Sequence, residues 1–135
     1  MLESLLNSLG KVGNSIGEST REKTLGVIED WLTIFPQLAA YDLEITSFGM
    51  GLAISPSLNV ELLGSHANWS DEAIEQRLAA HKGEHAISMV LSTIKTAYRL
   101  QRKTRAELRD PLILKIKVKI SPEVRVVLGQ PVLED

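Results

Sequence analysis

The chain contains no cysteine, and aromatic side chains make up only 4% of its 135 residues. Without cysteine the protein has no disulfide, no zinc–thiolate site and no thiol nucleophile, and we expect a reducing, cytoplasmic location. The shortage of aromatic residues predicts a core of aliphatic side chains. No apolar run is long enough to span a bilayer, and the first residues lack the basic start and continuous apolar stretch of a signal peptide.

The net charge of −2 conceals an uneven distribution of charge along the chain. Residues 1–94 carry 5 basic and 12 acidic side chains, whereas residues 95–125 carry 10 basic and 3 acidic ones. Such separation is typical of a surface for an anionic partner, or of a basic segment facing acidic side chains of the same chain or another subunit. The candidate anion-binding residues are Arg99, Arg102, Lys115, Lys117, Lys119 and Arg125. We expect no nucleic-acid partner, because no aromatic residue interleaves with the lysines to stack on bases.

Three helices are predicted from apolar residues that recur every three or four positions. The first is an amphipathic helix over residues 1–18. The second covers residues 20–35, where Ser19 and Glu22 match a capping box and a proline follows. The third and longest runs from a Ser70 cap to about residue 108, and its basic last turns suit a helix C-terminus.

Four strands are predicted from alternation of apolar and polar residues. Between residues 41 and 54 the alternation changes phase near Ser47, which predicts a β-bulge. A turn then leads into a strand that ends near Gly64. The clearest strand, residues 112–120, alternates apolar residues with three lysines, and a short turn connects it to a return strand over residues 124–128.

These elements predict an α+β fold of two layers, with helices packed on one face of an antiparallel sheet. The domain would span residues 19–129, after the N-terminal helix and before a loose tail over residues 130–135. Ile54–Leu62 and Ile120–Leu128 are identical at five of nine positions, so the order helix, hairpin, helix, hairpin indicates either an internal duplication or one turn chemistry used twice. The predicted core comprises Leu25, Ile28, Leu32, Phe35, Leu52, Ile54, Val60, Ile87, Val90, Leu91, Ile94, Ile116, Val118, Ile120, Val124 and Val126.

One short motif matches a metal-site pattern. His81, Glu84 and His85 have the spacing of inverted zincins, in which two imidazoles one helical turn apart share a zinc ion and the glutamate activates bound water. The match covers five residues only, and a helical wheel places both histidines opposite the core on a weaker apolar stripe. We therefore expect no metal at this site and interpret the stripe as a contact with a loop or a subunit.

The function that these patterns favour is a non-enzymatic interaction or structural module, forming a homo-oligomer or part of a larger assembly, without a cofactor. No phosphate-binding glycine loop or nucleophile elbow occurs. The predicted interface residues are Leu2, Leu5, Leu6, Leu9, Ile74, Leu78, His81, His85 and Met89. One alternative is a carrier of an apolar or anionic small molecule between the sheet and the long helix, where Gly49, Gly51 and Ala53 would leave room. A remote alternative is a zinc-dependent hydrolase acting through His81, Glu84 and His85.

Overall fold

The computed structural model describes residues 15–52 and 56–131 of the chain. Within them the helices are α1 (Ser15–Leu32), α2 (Phe35–Ala40), α3 (Asp71–Ala80) and α4 (His85–Lys103). The strands are β1 (Glu44–Gly51), β2 (Ser57–Gly64), β3 (Leu112–Val118) and β4 (Glu123–Leu128), and a single 3₁₀ turn covers His66–Asn68. Residues 1–14 of the predicted N-terminal helix lie outside the described residues, and so do residues 132–135 of the predicted tail.

The four strands form one antiparallel sheet in the order β1-β2-β3-β4. On one face of this sheet, α4 packs against β4, and α1 packs against β2 and β3. The prediction of a two-layer α+β fold is therefore confirmed. Alternation explains the layering, because Leu114, Ile116 and Val118 are buried under the helices while Lys117 is exposed.

The core between the layers is mainly aliphatic, as the composition predicts. Ten of the predicted core residues are buried, and Val124 and Val126 are partly buried against the same cluster. Three predictions are wrong, because Leu32, Leu52 and Ile120 are exposed. Ile54 lies outside the described residues. The buried predictions are Leu25, Ile28, Phe35, Val60, Ile87, Val90, Leu91, Ile94, Ile116 and Val118.

The helix predicted over residues 70–108 is two helices instead. Ser70 caps the first one, since its hydroxyl accepts a hydrogen bond from the Ala73 amide at 3.2 Å, as predicted. The chain then leaves the helical conformation between α3 and α4, where Gly83 adopts a φ of +89°. That left-handed conformation is accessible to glycine without a steric penalty, so Gly83 allows the reversal that lays α3 against α4.

The start of α1 also differs from the prediction. The helix already includes Ser15, so Ser19 lies inside it and does not cap it, and the predicted domain boundary at residue 18 falls within one helix. At the other end α1 stops at Leu32, and Pro36 occupies the first turn of α2, where its missing amide hydrogen costs no helical hydrogen bond.

The first hairpin contains the predicted bulge. The pairing register between β1 and β2 shifts between Ile45 and Ser47, which confirms the change of phase read from the sequence. The two hairpins also share one register, because Gly51 pairs with Ser57 and the corresponding residues Lys117 and Glu123 pair with each other. This equivalence is compatible with the proposed duplication, which stays a prediction.

Candidate interaction surface at the β1 edge

The face of the sheet that carries the core becomes exposed at β1. Phe48 lies directly opposite Val60, and Met50 lies opposite Leu58, so these four side chains project from the same face. Val60 is only 3% exposed, whereas Phe48 is 55% exposed. The boundary between covered and uncovered apolar surface therefore runs between β2 and β1.

The bulge in β1 increases this uncovered surface. In a regular strand Ile45 and Phe48, three positions apart, would project to opposite faces. The register shift between them instead puts Ile45 opposite the buried Leu62, on the same face as Phe48 and Met50. Leu52, one residue beyond the strand, is also exposed. We call Ile45, Phe48, Met50 and Leu52 the β1 apolar row.

The β1 apolar row lies on an edge strand that carries few of the usual safeguards against association. No charged residue occurs between Glu44 and Glu61. The opposite edge strand, β4, carries Glu123 and Arg125 instead. Edge strands are commonly kept from pairing with other chains by charged side chains. Among the described residues β1 pairs only with β2, so its outer backbone groups are available to a further strand.

The other face of the sheet is polar and of mixed charge. Cross-strand pairing aligns Glu61, Lys115 and Arg125 in one row and Asn59, Lys117 and Glu123 in the next. These side chains, together with Ser47, line a shallow depression of about 340 Å³. Three of the predicted anion-binding residues are thus brought together, but acidic side chains alternate with them, so this face carries mixed charge.

The remaining predicted anion-binding residues lie elsewhere. Arg99 and Arg102 belong to α4, which packs against the opposite face of the sheet from Lys115 and Lys117. Arg102 contacts Asp71 through Nη1 at 3.3 Å. Lys119 follows the end of β3 and is exposed. The sequence therefore identified one basic segment, whereas the fold divides it between two layers.

The predicted interface stripe on the long helix is largely internal. Ile74 is completely buried in the core, and Leu78 and Met89 pack against the core as partly buried side chains. The assignment of Ile74 to a stripe opposite the core is wrong, because α3 and α4 are separate helices and a single helical wheel does not apply to both. The four predicted interface leucines of the N-terminal segment, Leu2, Leu5, Leu6 and Leu9, lie outside the described residues.

The His81 side chain forms two contacts at the break between α3 and α4. Its Nε2 atom lies 2.6 Å from the Tyr41 hydroxyl, and its Nδ1 atom lies 2.9 Å from Oε2 of Glu84. Both ring nitrogens are therefore engaged within the chain. His81 ends α3 and the exposed His85 begins α4, so the two imidazoles do not share a helix as the zincin pattern requires. In the described part of the chain, no three histidine, aspartate or glutamate side chains are grouped as a metal site.

The space between the sheet and α4 is filled by side chains. Leu62, Leu91 and Leu114 have no exposed surface there. Gly49 and Gly51, which were expected to leave room for a ligand, alternate with Phe48 and Met50 and so lie on the opposite face of the sheet. Ala53 is outside the described residues. A groove between α4 and Val126 of β4 remains open beside this layer, and a carrier function stays a prediction.

The exposure of the β1 apolar row could not be predicted from alternation, because alternation identifies a face of a strand but not what covers that face. A signal was nevertheless present in the run of residues 45–60, which contains no charge.

Within the described residues, no helix has the length and apolar character needed to cross a membrane. In comparisons with protein-family models, curated proteins and solved structures, no significant match to this chain is found, so the candidate site is interpreted from its own geometry.

Proposed function

We propose that this protein is a non-enzymatic interaction module that associates with a second copy of itself through the edge of β1. The observation that carries the proposal is the β1 apolar row, which is exposed on an edge strand without charge after Glu44 although it continues the face that forms the core. Exposed apolar surface next to free backbone groups favours the addition of a strand from another chain.

A second copy is the partner that the chemistry of β1 favours. In a contact with two-fold symmetry the same surface patch is used by both subunits, so a charged residue near the axis meets an identical charge. Between Glu44 and Glu61 the chain has no charge that could produce this repulsion. Antiparallel pairing of β1 with its copy would join two four-stranded sheets and place both apolar rows on one side.

The expected strength of this association is moderate. Burying a large apolar side chain contributes about 1.5–3 kcal/mol, and the four side chains of the row already lose part of their exposure within one chain. Eight such side chains from two copies give a gross gain on the order of 10 kcal/mol, against an association cost of about 4–15 kcal/mol. The net gain is then at most about 6 kcal/mol, so we expect a dimer that dissociates at tens of micromolar or above.

The test is sedimentation velocity as a function of protein concentration. The wild-type chain should pass from 14.9 kDa towards twice that mass as its concentration rises. Phe48→Lys combined with Met50→Lys should give the monomer at all concentrations, because the two lysines of one copy would then face the two lysines of the other. The matched control is Leu100→Lys, which changes a side chain of similar exposure (51%) on α4.

Each outcome bears on the proposal. A dimer that is lost in the β1 variant and kept in the Leu100 variant supports it. A wild-type chain that stays monomeric at all concentrations contradicts it. A dimer that survives the β1 variant and is lost with Leu5→Asp and Leu9→Asp would also contradict it, and would assign the contact to the N-terminal segment predicted from the sequence.

A further inference from the structure

The end of α4 and the segment after it form a second surface, unrelated to the β1 edge. Residues 102–110 are all exposed, and the Gln101 side chain donates a hydrogen bond to the Ala106 carbonyl at 2.9 Å, which holds this segment against the helix end. Residues 95–110 contain six basic side chains, namely Lys95, Arg99, Arg102, Lys103, Arg105 and Arg109.

Only two of these six cations have a carboxylate partner in the described part of the chain. Lys95 pairs with Glu75, and Arg102 pairs with Asp71, so both ion pairs connect α4 to α3. The remaining four have no carboxylate within 4.0 Å among the described residues. We call Arg99, Lys103, Arg105 and Arg109 the basic end.

Two exposed leucines lie within the basic end. Leu100 follows Arg99 and is 51% exposed, and Leu108 precedes Arg109 and is 40% exposed. Leu100 borders a groove that includes Val126 of β4. Leu108 borders a depression lined by Glu107, Arg109, Asp110 and Gln130, the last of which lies two residues after that strand.

We propose that the basic end binds the surface of a membrane that contains anionic lipids. Unpaired lysine and arginine side chains are attracted to anionic headgroups, and neighbouring apolar side chains can enter the boundary between headgroups and acyl chains. Each exposed leucine here is adjacent in sequence to an arginine. Glu107 and Asp110 flank Leu108 and Arg109, but the four cations of the basic end outnumber these two acids. A nucleic acid is less well matched, because the basic end has no exposed aromatic side chain on which bases could stack.

The test is co-sedimentation of the full chain with lipid vesicles at low ionic strength. Vesicles of phosphatidylcholine with 30% phosphatidylserine should bind the protein, and vesicles of phosphatidylcholine alone should not. Replacing Arg99, Lys103 and Arg105 by glutamine should weaken binding by about fivefold for each charge removed. Arg109 is left unchanged, so that this variant and its control each lose three positive charges.

The matched control removes the same charge from the polar face of the sheet. Lys115, Lys117 and Lys119 are replaced by glutamine, so the net charge changes equally while the basic end is kept. Binding that falls with the first triple variant and persists with the second supports the proposal. Equal losses in both variants would contradict it, because the attraction would then depend on net charge alone.

A further pair of measurements separates a lipid surface from other anionic partners. Leu100→Ser with Leu108→Ser should weaken vesicle binding, because side-chain insertion requires the leucines. Binding of the wild-type chain to duplex DNA or to a glutamate-rich peptide, tighter than to the anionic vesicles and equally reduced by the first triple variant, would contradict the proposal and assign the basic end to that polyanion.

Discussion

The Tyr98 hydroxyl lies 2.7 Å from Nδ1 of His66, and Nε2 of the same ring lies 2.6 Å from the Arg109 carbonyl oxygen. Because a carbonyl can only accept, Nε2 donates to it, and Nδ1 of the singly protonated ring accepts a hydrogen bond from the Tyr98 hydroxyl. One imidazole thus connects the 3₁₀ turn, α4 and the segment that leads into β3.

Replacing Tyr98 by phenylalanine should destabilise the fold by about 1 kcal/mol, because Nδ1 of His66 loses its partner in a partly buried place. Chemical denaturation of the variant and the wild type measures this difference. Thr96→Val, a change at an exposed position on the same helix, serves as the control and should leave the midpoint almost unchanged. Equal midpoints for all three proteins would show that this hydrogen bond contributes nothing.

The same tyrosine should make the fold sensitive to alkaline pH. Burial, with a further contribution from the charge of Asp110, raises the pKa of Tyr98 well above its usual value of 10.0. The unfolded chain releases this proton near pH 10 while the folded chain retains it, so stability falls as the pH rises above 10. The slope of unfolding free energy against pH above 10 should be smaller in Tyr98→Phe. An identical slope in both proteins would contradict the assignment.

The strand β3 offers a direct test of the two faces of the sheet. Ile116→Asp should lower stability by at least about 3 kcal/mol, because it places a carboxylate in the core without a partner. Lys117→Ser should stay within about 0.5 kcal/mol of the wild type, since this side chain is exposed. The denaturation midpoints of the two variants are compared with that of the wild type. Equal midpoints for the two variants would mean that the buried and exposed faces of β3 are assigned wrongly.

The two histidines of the zincin-like motif should differ in their effect on stability. His81→Gln should cost about 1–2 kcal/mol, because the ring contacts both Tyr41 and Glu84 and joins α2 to the break between α3 and α4. The exposed His85 makes no such contact with the residues that the structure describes, and His85→Gln should be nearly neutral. Thermal unfolding of the two variants provides the comparison. A larger loss for His85→Gln would contradict this assignment.

Local patterns predicted the parts of the fold that local chemistry determines. The alternation around Ile116 and Lys117 gave the buried and exposed faces of β3, and the change of phase gave the bulge near Ser47. The break at Gly83 was missed because apolar spacing continues through it, and a single helical wheel then put the buried Ile74 on the surface.

Other features depend on contacts between distant parts of the chain. Leu52 and Ile120 continue apolar patterns and were predicted to be buried, but the pattern contains no information about where the helices lie. His81 is separated from Tyr41 by 40 positions, so its hydrogen bond could not be read from spacing. The exposure of the β1 apolar row could not be predicted for the same reason, since only the packing of α1 and α4 shows which strands are covered.

The absence of cysteine allows the central claim, association through β1, to be tested in a direct way. A single cysteine is introduced at Met50, or at Leu100 as the control, and each variant is treated with a short bismaleimide at micromolar concentration. The account predicts a cross-linked dimer for Met50→Cys that is prevented by adding Phe48→Lys, and a monomer for Leu100→Cys. Cross-linking at Leu100 with none at Met50 would contradict it.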